Sequence, residues 1–257
     1  LLKMNRRTGY TVPAGLTRDV VRILRESGVP FQVTDETVVR HPRQDIAWNP
    51  RIKLRPYQIA AVKAILGAKP IPGHGVLKMP VRSGKTKTAA RIIATIGRPT
   101  LFIVPSLQLL NQTANALREC LPNTPIGMIG DGKFDVQFVT VATIQTLDSM
   151  RGRPARRASK RKPAQEAKPQ HPKYKSLMAW FDLVIGDEVH HFTGEGEWYQ
   201  VLKDIDARCK IGLSATVFPD SDREIEKGII WVRACFGPIV HEVPVTSLVE
   251  QGFLMRQ

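Results

Sequence analysis

Two stretches of this chain carry residue types that chemistry needs. The first is Met79-Pro80-Val81-Arg82-Ser83-Gly84-Lys85-Thr86. An apolar run ends at Met79 and a helical pattern begins near Lys85, so the segment reads as strand, loop, helix. Backbone N–H groups of such a loop, with the helix N-terminus, surround phosphate oxygens. A lysine at position 85 then reaches the β- and γ-phosphates, a hydroxyl at Thr86 ligates Mg²⁺, and Ser83 and Gly84 belong to the cradle. The plain alternative is a basic helix start after an ordinary turn. The strict pattern would place glycine at Met79. If Arg82 must adopt a positive φ, its side chain costs energy.

The second stretch is Phe181-Asp182-Leu183-Val184-Ile185-Gly186-Asp187-Glu188. An apolar strand delivers two adjacent carboxylates to its end. One such carboxylate can hold a metal and the other can polarise an attacking water. A solvated acidic turn is the alternative. A phosphate loop about a hundred residues upstream weighs against it, because phosphoryl chemistry needs both parts.

The elements around these stretches alternate. Helices are expected over 57–66, 85–96, 107–120 and 143–149. Strands are expected at 75–79, 100–104, 136–141, 181–186 and 209–215. Apolar strands separated by helices give an α/β fold with a mostly parallel sheet covered on both faces. Its ligands belong at the carboxyl ends of the strands. Residues 1–50 have a different texture and read as a small α+β module. It holds a helix from Leu16 to Ser27, stopped by Gly28, and strand candidates at 31–33 and 37–39. The main domain spans 51–240, and 241–257 starts a connection onward.

The net charge of +15 points to a polyanionic partner, most simply nucleic acid. It is unevenly spread. Residues 151–175 hold ten Lys or Arg against the single acid Glu166, leaving +6 for the rest of the chain. Residues 151–172 lack large aliphatic and aromatic side chains and contain four prolines, so a flexible basic insert is expected there. Its start, Arg151-Gly152-Arg153-Pro154, matches the core of an A·T-hook, in which an extended Arg-Gly-Arg enters a narrow minor groove. Salt-sensitive contacts blind to sequence, or a linker with no binding role, are the other readings. Cys120, Cys209 and Cys235 form no CxxC pair and suit a reducing compartment. No apolar run is long enough for a membrane span and no leader pattern is visible. An intracellular setting, cytoplasmic or nucleoid-associated, without a membrane partner is therefore expected. The start at Leu1 reads as that of a fragment.

Taken together, the motifs resemble those of superfamily 2 helicases. Asp187-Glu188-Val189-His190 is similar to the DExH box. Ile211-Gly212-Leu213-Ser214-Ala215-Thr216 resembles motif III, and Leu54-Arg55-Pro56-Tyr57-Gln58 the glutamine motif. Leu101 to Ser106 resembles motif Ia, and Val139 to Gln145 the later nucleic-acid-contacting motif. Within the superfamily, the small leading module, Asp187 to His191 and the Gly252-Phe253-Leu254 of the tail resemble the XPB/UvsW-like DNA helicases and translocases most.

The resemblance implies the first of two RecA-like P-loop NTPase domains, using ATP and Mg²⁺. Arg55 and Gln58 would recognise adenine, and Lys85 the phosphates. Thr86 and Asp187 would hold Mg²⁺, and Glu188 would be the general base. His190, Ser214 and Thr216 would couple nucleotide state to domain movement. Ser106, Gln108, Thr143 and Gln145 would face the nucleic-acid backbone, with Arg151 and Arg153 adding contacts. Gln58 and Ser106 also read as simple helix caps. The sequence departs from the family pattern twice: Val81-Arg82 replaces the Thr-Gly often found before this loop's serine, and Val217-Phe218 intervenes before Pro219. The implied partners are double-stranded or branched DNA and a second RecA-like domain, in the same chain or another. An RNA helicase, a nucleic-acid-binding scaffold and the motor of a defence complex are the rivals.

Overall fold

The computed structural model describes residues 3–5, 9–34, 39–68, 73–155, 166–191, 196–215, 223–250 and 252–253. The chain opens with β1 (Lys3–Asn5) and β2 (Gly9–Thr11), paired antiparallel, then α1 (Thr17–Glu26) and α2 (Pro56–Leu66). The main domain continues through β3 (His74–Lys78), α3 (Lys85–Ile96), β4 (Thr100–Val104) and α4 (Leu107–Cys120). Next come β5 (Ile126–Gly130), β6 (Lys133–Asp135), β7 (Val139–Thr143) and α5 (Ile144–Arg151). They are followed by α6 (Tyr174–Trp180), β8 (Leu183–Gly186), α7 (Glu197–Asp204) and β9 (Cys209–Ser214). Finally come α8 (Arg223–Phe236), β10 (Ile239–Glu242) and α9 (Val245–Glu250).

One eight-stranded sheet runs in the order β10-β3-β9-β8-β4-β7-β5-β6. Every pairing in it is parallel except β5 with β6. Side chains alternate between two cores, as strands buried on both faces require. Phe102, Val104, Val141, Ile185 and Leu213 pack with α2, α3 and α4 on one face. Leu101, Ile103, Ala142 and Val184 pack on the other, with α5, α6, α7 and α8. This is the α/β sheet the strand pattern predicts. Within it β9 lies between β3 and β8, and all three run parallel. The loops that follow these three strands therefore open at one edge of the sheet.

Helix ends match their residues. Gly97 closes α3 at φ 63°, donating its N–H to the Ile93 carbonyl, a left-handed cap that a β-carbon would strain. Ser106 caps α4 by accepting a hydrogen bond from the Leu109 N–H.

Several expectations need correction. Residues 31–33 form no strand, and Phe31 and Val33 are exposed; alternation alone does not make a strand without a partner. Residues 37–38 lie outside the described residues. The strand expected at 136–141 begins only at Val139, because the Thr140 hydroxyl accepts from the Gln137 N–H and donates to its carbonyl, holding a local turn. The basic insert is not free throughout. Arg153 and Lys168 exchange two backbone hydrogen bonds of 2.8 Å, which join its two flanks at a neck. Residues 156–165 lie outside the described residues.

Residues 40–49 run along the amino-terminal ends of the strands. The buried Asp182 carboxylate accepts from the backbone N–H groups of Arg40 and His41, and Arg40 pairs with Asp206 at 2.7 Å. Among the described residues, no helix is long and apolar enough to cross a membrane.

Candidate nucleotide and nucleic-acid site

The loop after β3 is held open by its neighbours, not by its own glycines. Met79 donates its N–H to the Ser214 carbonyl at the end of β9. The Ser83 hydroxyl turns back to the Pro80 carbonyl at 2.6 Å. Arg82 adopts φ 63°, so the positive φ at which its side chain is costly does occur. Its side chain is exposed. Gly84 follows at φ 81°, where an added β-carbon would lie 2.4 Å from Gln58 Nε2. Helix α3 then starts at Lys85 with no side-chain cap, so its first N–H groups lack partners within the helix.

Asp187 and Glu188 stand at the end of β8. Asp187 is 6% exposed, and its N–H donates to the Ile103 carbonyl. Burial raises its pKa to about 6, with the neighbouring Glu188 charge adding to the rise and Lys85 opposing it. Glu188 sits at φ 51°, a strained conformation for a residue with a side chain. That turn aims its carboxylate at Lys85, whose Nζ lies 2.9 Å from Oε1. His190 Nδ1 lies 3.2 Å from Glu188 Oε2 and 3.0 Å from the Ser214 hydroxyl. Burial first, and His191 second, push the His190 pKa down, which favours the neutral ring.

Lys85, Glu188, His190 and Ser214 thus form one connected group, as their separate positions in the sequence suggest. Thr86 opens α3 beside Lys85 and is half-buried. Thr216 lies outside the described residues. The residues present fit a magnesium-bound triphosphate. A helix N-terminus and a lysine stand opposite a buried carboxylate whose raised pKa a divalent cation would reverse.

Gln58 occupies the helix-cap place that is one of its two readings, and it also reaches the phosphate loop. Gln58 is buried, its Oε1 accepts from the Arg55 N–H, and its Nε2 donates to the Ser83 carbonyl at 2.8 Å. Both ends of the amide are engaged, so in this conformation Gln58 caps α2 and braces the phosphate loop. Tyr57, which sequence reasoning passes over, donates its hydroxyl to the same Ser83 carbonyl at 2.9 Å. The signal for it is its place beside Gln58.

The candidates for nucleic-acid contact divide. Gln108 and Gln145 are exposed, and Gln145 donates to the Pro105 carbonyl at 2.8 Å. Thr143 is buried and caps α5, bonding Thr146 through its hydroxyl. Ser106 serves as a cap but also borders an open cavity of about 600 Å³, lined with Pro105, Leu109, Gln145, Glu188 and Trp198. Arg151 turns inward, 3.1 Å from Asp204 and 3.2 Å from the Gln200 amide oxygen. Arg153 stays exposed at the neck.

Comparison with known proteins agrees with this geometry. Residues 51–219 match the family described as "Type III restriction enzyme, res subunit". The chain is 31% identical over 199 residues to "DNA 3'-5' translocase XPB2" of Sulfurisphaera tokodaii, covering 77% of this chain and 37% of that protein. It is 27% identical over 205 residues to "DNA 3'-5' helicase XPB" of Kineococcus radiotolerans, covering 78% and 32%. The chain thus spans about a third of the length of these relatives. In fold it is similar to the UvsW helicase of bacteriophage T4, with a TM-score of 0.61 at 20% identity, covering 93% of this chain and 81% of that one. The Sulfolobus solfataricus SWI2/SNF2 ATPase core gives a TM-score of 0.52 at 17% identity, covering 80% and 38%.

Proposed function

The chain belongs to the family of type III restriction enzyme res subunits, within the superfamily 2 helicases, and from that membership we propose that it is the first motor half of an ATP-dependent DNA helicase or duplex translocase. Residues 51–240 form its RecA-like ATP-binding domain, 1–50 an accessory module, and 241–257 the start of the connection to a second such domain in the same chain or a partner.

The observation that carries this reading is the Lys85–Glu188 pair, which joins the phosphate loop to the acidic strand end. Lys85, Ser83, Gly84 and Thr86 bind the triphosphate of ATP. Asp187 and Thr86 hold Mg²⁺, which neutralises phosphate charge when bound. Glu188 orients the attacking water and accepts its proton. His190 lies between Glu188 and Ser214 and links the nucleotide to the end of β9. Ser106 and Gln145, which line the cavity beside Glu188, and the exposed Gln108 meet the nucleic-acid backbone. The relatives named as DNA helicases and translocases support DNA over RNA as the partner.

Arginines of a second domain stabilise transition-state charge in such motors and are worth about 10³–10⁵ in rate. Residues 1–257 are therefore expected to bind ATP with Mg²⁺ yet hydrolyse it slowly, with and without duplex DNA. Turnover assays on this chain test the point. Fast, DNA-stimulated hydrolysis by the monomer would rule out the need for a second domain. Absence of ATP binding would remove the motor reading.

A further inference from the structure

The edge of the sheet farthest from β10 carries an exposed aromatic ring. β6 ends the strand order, and Phe134 at its centre is 40% exposed. Register pairs Phe134 with Ile129, which packs in the core beneath α5 and α6, so the ring stands on that face of the sheet. Strand alternation turns its neighbours Lys133 and Asp135 to the opposite face. The residues that lead from the neck into α6 come to meet the ring. His171 lies 5.8 Å from it, centroid to centroid, with the two planes at 35°. Lys173 Nζ lies over the ring, 5.2 Å from its centroid. His171 is fixed in place. Its N–H donates to the Met150 carbonyl at 2.7 Å, and its Nδ1 accepts from the Lys173 N–H at 3.2 Å.

We propose that Phe134, His171 and Lys173 form a second DNA site that takes an unpaired strand. A base stacks on Phe134 and His171, and Lys173 binds the adjoining phosphate. The site lies apart from the cavity beside Glu188, and it rests on the DNA-binding reading above.

The chemistry of the cluster selects this occupant. His171 and Lys173 are exposed like Phe134, and among the described residues the Lys173 ammonium has no carboxylate partner. A ring beside a cation suits a single strand, because every base has a π face and every linkage a phosphate. In a duplex the bases are stacked on one another and offer the ring no face. Lys173 covers the ring now and moves to a phosphate when a base takes its place. The location agrees. Gly130, at the end of β5, comes close to Thr143, since an added β-carbon there would lie 3.2 Å from its Oγ1. The turn after Gly130 leads into β6, so the cluster continues from the strand end that Gln145 follows. On its other side it meets the neck, where Arg153 and Lys168 are exposed and the Lys168 ammonium donates to the Ser149 hydroxyl.

The test measures fluorescence anisotropy of residues 1–257 with a single-stranded DNA oligonucleotide, a blunt duplex and an abasic strand of equal length. Phe134→Ala is expected to weaken the single strand about five- to tenfold, within the range of one stacked base, and to leave the duplex and the abasic strand unchanged. Phe134→Leu keeps the apolar bulk without the aromatic face and is expected to behave as the alanine variant does. Phe134→Trp is expected to restore affinity, and to add a tryptophan emission that the single strand quenches and the abasic strand does not. Lys173→Ala is expected to flatten the slope of log affinity against log salt on the single strand by about 0.7, one phosphate, whereas Phe134→Ala leaves the slope as it is. Equal weakening of single strand and duplex by Phe134→Ala, full affinity in Phe134→Leu, or no change in any variant overturns the site and makes the ring a cover for the sheet edge. Failure of the unaltered chain to bind any of the probes overturns the DNA-binding reading with it.

Discussion

Lys85 Nζ lies 2.9 Å from Glu188 Oε1, so the lysine of the phosphate loop is already paired with the acid that stands opposite it. Both side chains are largely buried, and a phosphate oxygen competes for a partner that is in place. Charge-assisted hydrogen bonds of this kind are strong, and the carboxylate that makes this one repels an incoming phosphate.

Glu188→Gln removes the competing charge and the repulsion it exerts on a triphosphate. ATP affinity is expected to rise about tenfold, roughly 1.4 kcal/mol. Lys85→Ala is expected to lower affinity by a hundredfold or more. Calorimetric titration with ATP and Mg²⁺ measures both. Unchanged affinity in Glu188→Gln would mean that the pair does not oppose nucleotide entry.

Asp187 gives a pH signature. Its folded pKa is about 6, above the ordinary 3.8, because burial and Glu188 disfavour the charge. Between these values the folded state holds more protons than the unfolded one, so stability falls as pH rises through about 4 to 6. Below the lower value the penalty is absent, and above the upper one it is complete, at roughly 2–3 kcal/mol. Asp187→Asn keeps an oxygen for the Glu188 N–H, which donates to Oδ1 at 3.0 Å, and removes the charge. It is expected to be more stable than the unaltered chain at pH 8 and equally stable near pH 4. Urea unfolding at both values checks this. For nucleotide the sign reverses: affinity that depends on Mg²⁺ is expected to fall below about pH 6, where Asp187 takes up a proton.

The strands that position these groups can be read from the sequence because they are short, largely apolar runs bounded by polar turns. Thr100–Val104 and Lys85–Ile96 form where the pattern places them. The pairing of Lys85 with Glu188 follows from motif order. What stays hidden depends on packing. β5 is Ile-Gly-Met-Ile-Gly, and its glycines weaken the alternation by which a strand is recognised. β10 is half-exposed and gains its place only by pairing with β3. Gln58 reads equally as a cap or as a base contact, and only its 2.8 Å bond to Ser83 gives it to the loop. Arg151 reads as free because its partners, Asp204 and Gln200, lie some fifty residues away.

Arg82 is an oddity in sequence and becomes a measurable strain in structure. At φ 63° a β-carbon is disfavoured, whereas glycine accepts the conformation. Arg82→Ala removes the charge and keeps the β-carbon; Arg82→Gly removes both. The glycine variant is expected to be more stable than the alanine variant by about 0.5–1 kcal/mol, since relief of strain outweighs the greater freedom of the unfolded chain. Thermal unfolding of the pair measures the difference. An alanine variant as stable as the glycine variant would mean the loop relaxes to another conformation when the arginine is removed.

The neck between Arg153 and Lys168 makes the basic insert removable without disturbing its base. The two residues are joined by a pair of 2.8 Å backbone hydrogen bonds, so replacing 154–167 with a two-residue turn closes a short hairpin. That deletion removes five Lys or Arg and the single acid Glu166. Arg151 stays where it is, held by Asp204 and Gln200. On duplex DNA, each phosphate that is no longer neutralised flattens the slope of log affinity against log salt by about 0.9. The deletion is expected to flatten it by one to about four such steps, measured by fluorescence anisotropy across a salt series. Because the deletion keeps the Arg151-Gly152-Arg153 stretch and the basic residues it removes contact phosphates, the weakening is expected to be equal on A·T-rich and G·C-rich duplexes. A larger effect on A·T-rich duplex would place an A·T preference in the deleted residues, and an unchanged slope would make the insert a linker.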